Sequence, residues 1–304
     1  MECSIVIVSY NVRDFLFDCI ASIKDHSASV EIIVVDNNSS DGTIDMLGKN
    51  YPKVKTILNK ANKGFSAANN QGIAIARSKN ILLLNPDTVI VGDALEKMIT
   101  FMDQQPGHCI VGPRILNSDG SLQISCWKFP GILEIFIDMV YLHTLFPSRN
   151  YSFHKMKNSF SVDAVSGAAM MFRRDVINKI GYLDEKLFWM EDVDFCFRAE
   201  RAGVDVIYFP QAEIIHHSGK SSVKNLNIVV YNQLISKLKF EKKYGNSFNY
   251  FIANIFVFIH LVSRLIILFF AFPFGKRSRD KFFAYLFSLR KYFKFIFTGD
   301  ETIV

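Results

Sequence analysis

"VEIIVVDN" (Val30–Asn37) is the stretch that decides the fold. Its apolar run is nearly continuous and stops on an aspartate. A strand with this pattern is buried on both faces, as in a parallel sheet covered by helices. The flanking sequence repeats the theme. "CSIVIVSY", "VKTILN" and "NILLLNPD" read as further strands. Between and after them, "VRDFLFDCIASIKDH", "SDGTIDMLGKN", "SAANNQGIAIARS" and "GDALEKMITFMDQQ" read as helices, the first with Phe15, Cys19 and Ile23 on one face. Strands alternating with helices imply βαβ units and a parallel sheet. Ligands of such sheets bind at the carboxyl ends of the strands. The residues to read are therefore Ser9-Tyr10-Asn11, Asp36-Asn37, Asn59 and Asn85-Pro86-Asp87.

Past residue 108 the pattern changes. "CIVGPRILNSDGSLQISCWKF" reads as strands joined by an Asp119-Gly120 turn. Pro130–Phe160 lacks clear caps, although 132–145 has helical character, and an acceptor-facing excursion is expected there. "FSVDAVSGAAMMFRRDV" resumes strand character, with Gly167 where backbones approach closely. "EDVDFCFRAERAG" is helical and ends at Gly203, and "VDVIYFP" and "EIIHHSG" follow as two strands.

Half of the 304 residues are apolar, enough for a sizeable core. Five scattered cysteines, an odd number without a CxxC, fit free thiols in a reducing compartment. The start "MECSIVIVSYN" has no basic n-region and no small-residue cleavage site, so no signal peptide is expected. The net charge of +6 is concentrated after Ser236, among many phenylalanines. Residues 251–272 are long and apolar enough to cross a bilayer, which takes about 20 residues. They carry His260 and Arg264, and an arginine at that depth costs roughly 2.5–3.5 kcal/mol. In the segment after Pro273, Phe282, Leu286, Leu289, Phe293 and Ile296 share one face, with Lys281, Ser288, Lys291 and Lys294 toward the other. That is the pattern of an in-plane interfacial helix, or of helices packing on the main domain. So many consecutive apolar residues favour lipid over nucleic acid as the partner of this basic tail.

Several polar groups invite chemistry. Asp36 ends a strand where dinucleotide folds grip a ribose, yet "SYNVRD" offers no G-x-G-x-x-G turn. A nicotinamide enzyme is thereby disfavoured; Asp36 either holds a nucleotide or caps the next helix. Asn62-Lys63-Gly64 precede a helix start that can face phosphate. Asp87 sits in a proline-containing turn, either as an Asx turn or as one carboxylate on Mg²⁺ or Mn²⁺ shared with substrate phosphates. Of His216 and His217, neighbours in a strand, one at most faces a given site. In "FWMEDVDFCFR" (Phe188–Arg198) the acids complement a helix dipole, and Asp194 can pair with Arg198 at i,i+4. Asp192 points about 200° away from Asp194, free to act as a base.

In order, "IVIVSYN", "IIVVDNNSSDGT", "NKGFSAANNQG", "ILLLNPDT", "VSGAAMMFRR", "GYLDEKLFWMEDVDFCFRAERAG" and "HHSGKSS" resemble the family 2 glycosyltransferases, inverting enzymes of the GT-A fold. The "NPD" and "EDVD" forms look most like the rhamnosyltransferase branch that builds bacterial surface polysaccharides. The resemblance implies an α/β fold, a Rossmann-like mixed sheet flanked by helices. It implies a catalytic domain over residues 1–225 and a helical, membrane-associating extension over 226–304. Ser9, Tyr10, Asp36, Asn38, Asn62, Lys63, Gly64 and Asn85 would line the nucleotide pocket. Asp87 and His216 would hold a divalent metal, Mg²⁺ or Mn²⁺. Gly167 and Trp189 would lie near donor and acceptor sugars, Asp192 would be the general base, and Glu191 and Asp194 would shape the acceptor site. Asn85 departs from relatives that carry a first aspartate there, and brings no charge. The implied partners are a nucleotide-sugar donor (dTDP-rhamnose or a UDP-sugar), a glycan or lipid-linked acceptor, and the cytoplasmic face of the inner membrane, with no nucleic acid. A catalytically dead nucleotide-binding scaffold and a sugar nucleotidyltransferase are the competing readings; the second needs a Gly-rich phosphate loop that is absent after the first strand.

Overall fold

The computed structural model describes residues 1–24, 29–105, 107–139, 157–217 and 226–299. They form two compact units. One comprises residues 1–129, 157–185 and 191–217; the other comprises 130–139, 186–190 and 226–299. The call on "SGKSS" after His217, and most of the 130–160 excursion, fall outside the described residues.

The first unit is built on a ten-stranded sheet among the described residues. Strands β1 (Cys3–Ser9), β2 (Val30–Asp36), β3 (Lys55–Leu58) and β4 (Asn80–Leu84) run parallel in the order β3-β2-β1-β4. Short β5 (Thr88–Ile90), β6 (Cys109–Leu116) and β7 (Leu122–Gln123) follow in the chain. The turn at Asp119-Gly120 joins β6 and β7 as the sequence implies. Next come β8 (Cys126–Trp127), β9 (Phe160–Ser161), β10 (Ala164–Val165), β11 (Ala169–Arg173) and β12 (Asp205–His216). Beside β4 the direction reverses: β11 pairs antiparallel with both β4 and β6. The sheet is therefore mixed, and β8 and β10 form a separate small ladder.

The parallel strands are buried on both faces, as their runs demand. Ile5, Ile7, Val34, Leu82 and Leu84 face the core shared with α1 (Arg13–Lys24), α2 (Thr43–Asn50) and α4 (Ala94–Gln104). Val6 points the other way, onto α3 (Phe65–Ile75), where Gly72 lets the helix settle on β1. Short α6 (Val176–Ile180) and α7 (Glu191–Arg201) complete the unit.

Two local expectations change. Helix α1 buries Leu16, Cys19, Ile20 and Ile23, whereas Phe15 is half-buried against His217, ring centroids 5.7 Å apart. The two strands read at 204–210 and 213–219 are, over the described residues, one, β12, whose pairing with β6 shifts register between Phe209 and Glu213. Pro210 sits in that irregularity, where a missing N–H costs no ladder bond.

The second unit holds α5 (Ile132–Met139), α8 (Leu226–Tyr244), α9 (Ser247–Ala271) and α10 (Lys276–Thr298). Its core joins Tyr231, Leu234, Ile235 and Leu238 of α8, Ala253, Val257 and Leu261 of α9, and Tyr292 and Phe295 of α10. Asn246 caps α9 by accepting the Asn249 N–H at 2.8 Å. The inward face of α10 carries Ala284, Ser288, Tyr292 and Phe295, all buried, while Phe293 and Ile296 of the stripe read as interfacial are exposed. Ser288 tolerates burial because its hydroxyl donates to the Ala284 carbonyl.

Candidate active site

The carboxyl ends of β1, β2 and β4 lie along one edge of the sheet, with Ser9 in register with Asp36. The loops leaving β1 and β2 are tied together there. The Asn37 N–H donates to the Ser9 carbonyl, the Asn11 N–H to the Ser39 hydroxyl, and the Ser40 N–H to the Asn11 side chain. Asn11 and Asn38 adopt positive φ (53° and 69°), which asparagine tolerates better than most residues. Asp36 is buried; its Oδ2 accepts the Ser39 N–H at 2.9 Å. That bond makes a turn of its own rather than a cap on α2, whose first residue is Thr43. Its Oδ1 is buried and unsatisfied, as are the hydroxyls of Ser9 and Ser66. Buried polar atoms normally have partners, and Ser9 and Asp36 are left without one at the strand ends where ligands of such sheets bind.

Asn37 binds the next loop to this edge. Its Nδ2 donates to the Gly64 carbonyl at 3.2 Å, and its Oδ1 accepts Asn59 Nδ2 at 2.9 Å and the Lys63 N–H at 3.5 Å. Asn59 is held in turn by Gln71, and the Asn62 side chain accepts the Gly64 N–H. Gly64, at φ 83° with open space where a Cβ would sit, opens α3, and Lys63 is exposed beside it. Tyr10 is about half exposed at the loop after β1.

A second cluster forms after β4. Asp87 is buried, with Oδ1 3.2 Å from His216 Nε2, and Asn85 Nδ2 lies 3.4 Å from the same nitrogen. His216 Nδ1 meets Gln123 Oε1 at 3.0 Å. In the Nδ1–H tautomer, from which this oxygen can accept, the Nε2 lone pair is turned toward Asp87. A carboxylate oxygen and an imidazole nitrogen 3.2 Å apart can then share a divalent cation. Among the described residues no three or more His, Cys, Asp and Glu side chains come together so as to hold a metal ion by themselves. The donor set nevertheless fits Mg²⁺ or Mn²⁺, which take one or two protein ligands alongside substrate phosphates. His217 turns away, toward Ser118 and Phe15. Gln123, on a two-residue strand, carries no sequence signal; nor did Asn37 stand out as the hub of its loops.

The acids of α7 separate as their angular spacing implies. Asp194 is fully buried, bonded to Arg198 Nε at 2.8 Å. The same guanidinium donates to the carbonyls of Ile180 and, at 2.9 Å, Tyr182. Asp194 thus anchors the helix, and direct contact with an acceptor is closed to it. Asp192 is half-buried; its Oδ2 accepts the Gly167 N–H at 2.9 Å and its Oδ1 the Val193 N–H at 2.8 Å. Burial raises its pKa above the ordinary carboxylate value, and the two N–H donors only partly oppose this. A Cβ at Gly167 would touch the Asp192 side chain. Glu191, half-buried, opens the helix. Trp189, exposed and at φ 85°, belongs to the other compact unit. Backbone joins the Asp192 and Asp87 clusters: the residue after Gly167, Ala168, accepts the Asn85 N–H at 2.8 Å.

The chain is similar to proteins already known. Over 272 residues the chain is 26% identical to a low-salt glycan biosynthesis hexosyltransferase of Haloferax volcanii, covering 87% of this chain and 79% of that one. Over 237 residues it is 28% identical to an N-acetylglucosaminyl-diphospho-decaprenol L-rhamnosyltransferase of Mycobacterium tuberculosis, covering 72% and 76%. The fold matches a mannosyltransferase of Pyrobaculum calidifontis, solved with GDP-Man and Mn²⁺, at a TM-score of 0.56 and 14% identity, over 98% of this chain and 88% of that one. The family model for "Glycosyl transferase family 2" covers residues 4–181. With more than half its length matched by that model and a mixed GT-A sheet beneath, the chain belongs to glycosyl transferase family 2.

Proposed function

We propose that this glycosyltransferase moves a sugar, with inversion, from a nucleoside-diphosphate donor to a hydroxyl of a glycan or lipid-linked acceptor. The observation that carries the proposal is Asp192. It is a carboxylate of raised pKa, held by two backbone N–H groups and coupled through Gly167-Ala168 to the Asn85–Asp87 turn. A raised pKa makes it a stronger base than an ordinary carboxylate at the pH where it is still ionised. Asp192 accepts the proton of the acceptor hydroxyl as that oxygen attacks the anomeric carbon from the face opposite the leaving diphosphate. Asp36, Ser9 and Asn38 hold the nucleoside, and Asn62, Lys63 and Gly64 lie toward its phosphates. Asp87, His216 and Asn85 would hold Mg²⁺ or Mn²⁺, which when bound neutralises charge on the departing diphosphate. Glu191 lies toward the acceptor.

The donor class follows the relatives, and dTDP-rhamnose or a UDP-sugar is the first choice. The catalytic work is assigned to residues 1–225. The extension, 226–304, holds the enzyme on the cytoplasmic face of the inner membrane in surface-polysaccharide synthesis, in a peripheral or monotopic manner. A thermal-shift panel of nucleotide sugars with Mn²⁺ tests the reading. Binding at a hundred times Kd adds about 2.7 kcal/mol, a rise of roughly 5–10 °C for a unit of this size. If no nucleotide sugar shifts the melt and no labelled sugar reaches a glycan or lipid acceptor, the proposal is lost.

A further inference from the structure

Helix α9 has two opposed faces. At 100° per residue, Ala253, Val257, His260 and Leu261 fall within about 100° of arc, and all four are buried against the unit's core or beside it. His260 lies 3.4 Å from the Tyr285 hydroxyl of α10, so its polar edge is engaged inside the packing. Phe251, Ile255, Phe258, Ile266, Phe269 and Phe270 occupy about 120° on the other side, and every one is exposed, Phe251 to 61% and Phe270 to 71%. The stripe runs nearly the whole helix of 25 residues, whose mean hydropathy reaches 2.2 over its best window. It continues onto α10 through Phe258, Phe293 and Phe297, with neighbouring ring centroids 6.0 and 6.1 Å apart. At the far end Phe269, Phe270, Phe272, Pro273, Phe282 and Phe283 line an apolar cavity of about 470 Å³, room for part of an acyl chain.

Water does not tolerate an apolar surface this long without a partner. Charge identifies the partner. Lys276, Arg279, Arg290 and Lys294 are exposed on α10 and project from the side that carries Phe283, Phe293 and Phe297. A cationic margin beside an aromatic surface complements anionic headgroups over acyl chains. The same cations argue against a crossing. Helix α10 packs along α9, and a spanning α9 would take Arg290, Lys291 and Lys294 toward hydrocarbon together with Arg264. Cations there are strongly disfavoured. Lying flat, α9 sinks its stripe while the cations stay at headgroup level.

We propose that α9, though long enough to span, lies in the plane of one leaflet of an anionic bilayer, its Phe251–Phe270 stripe in the acyl region and the α10 cations among the headgroups. This rests on the membrane attachment in the proposed function and adds its geometry and lipid charge. The test uses the full chain and vesicles of phosphatidylglycerol and phosphatidylcholine. Flotation is expected with the mixture, and roughly thirtyfold weaker partition for Lys276→Gln with Arg279→Gln. Phe251→Ser, Ile266→Ser and Phe270→Ser together are expected to weaken partition at least a hundredfold, by roughly the transfer preference of those side chains. Depth decides the orientation. Phe251→Trp at one end and Ile259→Trp at mid-helix, both exposed positions and read against the parent with its own two tryptophans, are expected to be quenched alike by lipid brominated near the headgroup. A mid-helix tryptophan that is quenched only by lipid brominated near the bilayer centre, while the end is quenched near the headgroup, means a spanning helix and overturns the proposal. Unchanged flotation of the triple variant overturns it as well. So does a dimer that the serine substitutions convert to monomer, since the stripe would then bind a second copy. Nucleotide-sugar hydrolysis in lipid-free detergent separates the readings: flotation without turnover sinks the transferase, and turnover without flotation sinks this proposal.

Discussion

Replacing Asp192 with asparagine removes the proposed base and little else. The amide is isosteric, so Gly167 keeps its close approach. Its single oxygen can accept only one of the two N–H groups that the carboxylate now binds at 2.9 and 2.8 Å. The other donor then faces an NH₂, a loss of about 1–3 kcal/mol. Relief from holding a charge in a site that burial makes unfavourable opposes that loss. The two effects have opposite signs, so Asp192→Asn should melt within a few degrees of the parent. Catalysis has no such compensation. General-base assistance is worth roughly 10²–10⁴ in rate, or about 2.7–5.4 kcal/mol of barrier. Transfer of radiolabelled sugar should fall by that factor while the thermal shift produced by donor persists. The parent should also lose kcat as pH falls through the raised Asp192 pKa, earlier than an ordinary carboxylate would require, because the base acts only when ionised. The matching stability term runs the other way. A carboxyl with a raised folded pKa stabilises the fold while protonated, and that contribution fades as pH climbs through the folded value. Turnover within tenfold of the parent, with donor binding intact, refutes the assignment.

Asp87→Ala should weaken nucleotide-sugar binding in Mn²⁺ and much less in chelator; calorimetry showing equal losses in both takes Asp87 off the metal. Arg198→Met strands the fully buried Asp194 and should cost about 3–5 kcal/mol in denaturant melts. Adding Asp194→Leu should recover part of it, and no recovery would mean that the two carbonyl contacts of Arg198 carry its weight. Gly72→Ala places a Cβ 2.3 Å from the Val6 side chain and should cost about 1–3 kcal/mol. Val6→Ala in the same chain should return part of it, because the one contact under 3.0 Å among the three nearest atoms is with Val6 Cγ1; additive losses contradict the packing described.

The strands, their order of appearance and the sheet edge that gathers the polar residues could be read from the sequence because continuous apolar runs ending in Asp36 and Asn85 leave few alternatives. The division between Asp192 and Asp194 was equally legible, since helical angle alone sends them apart. What sequence lacked was pairing across distance. Asn85 meets His216 across 131 positions, and Gln123 reaches the other ring nitrogen from a strand too short to show a period. Reversal of the sheet beside β4 was likewise invisible, because antiparallel β11 is as uniformly apolar as the parallel strands. Proline misled at β12 by reading as a strand end when it marks an irregularity within one. On α10 the face that turns inward was hidden from the sequence for a plain reason. That helix packs against both α8 and α9, so its inward residues span a wider arc than a single amphipathic stripe predicts, and small Ala284 and Ser288 serve where close approach matters more than hydrophobicity.

The Gly167-Ala168 peptide grips Asp192 with the N–H of its first residue and Asn85 with the carbonyl of its second. The link between the proposed base and the Asn85–Asp87 turn therefore runs through main-chain groups at Gly167 and Ala168, which substitution of neighbouring side chains does not lengthen or shorten. On the proposed function, a change of sugar would come from reshaping what surrounds that fixed gauge. Variation in sugar choice should accordingly gather in the connecting loops, and a library aimed at new donors is best spent there, with these two residues left untouched.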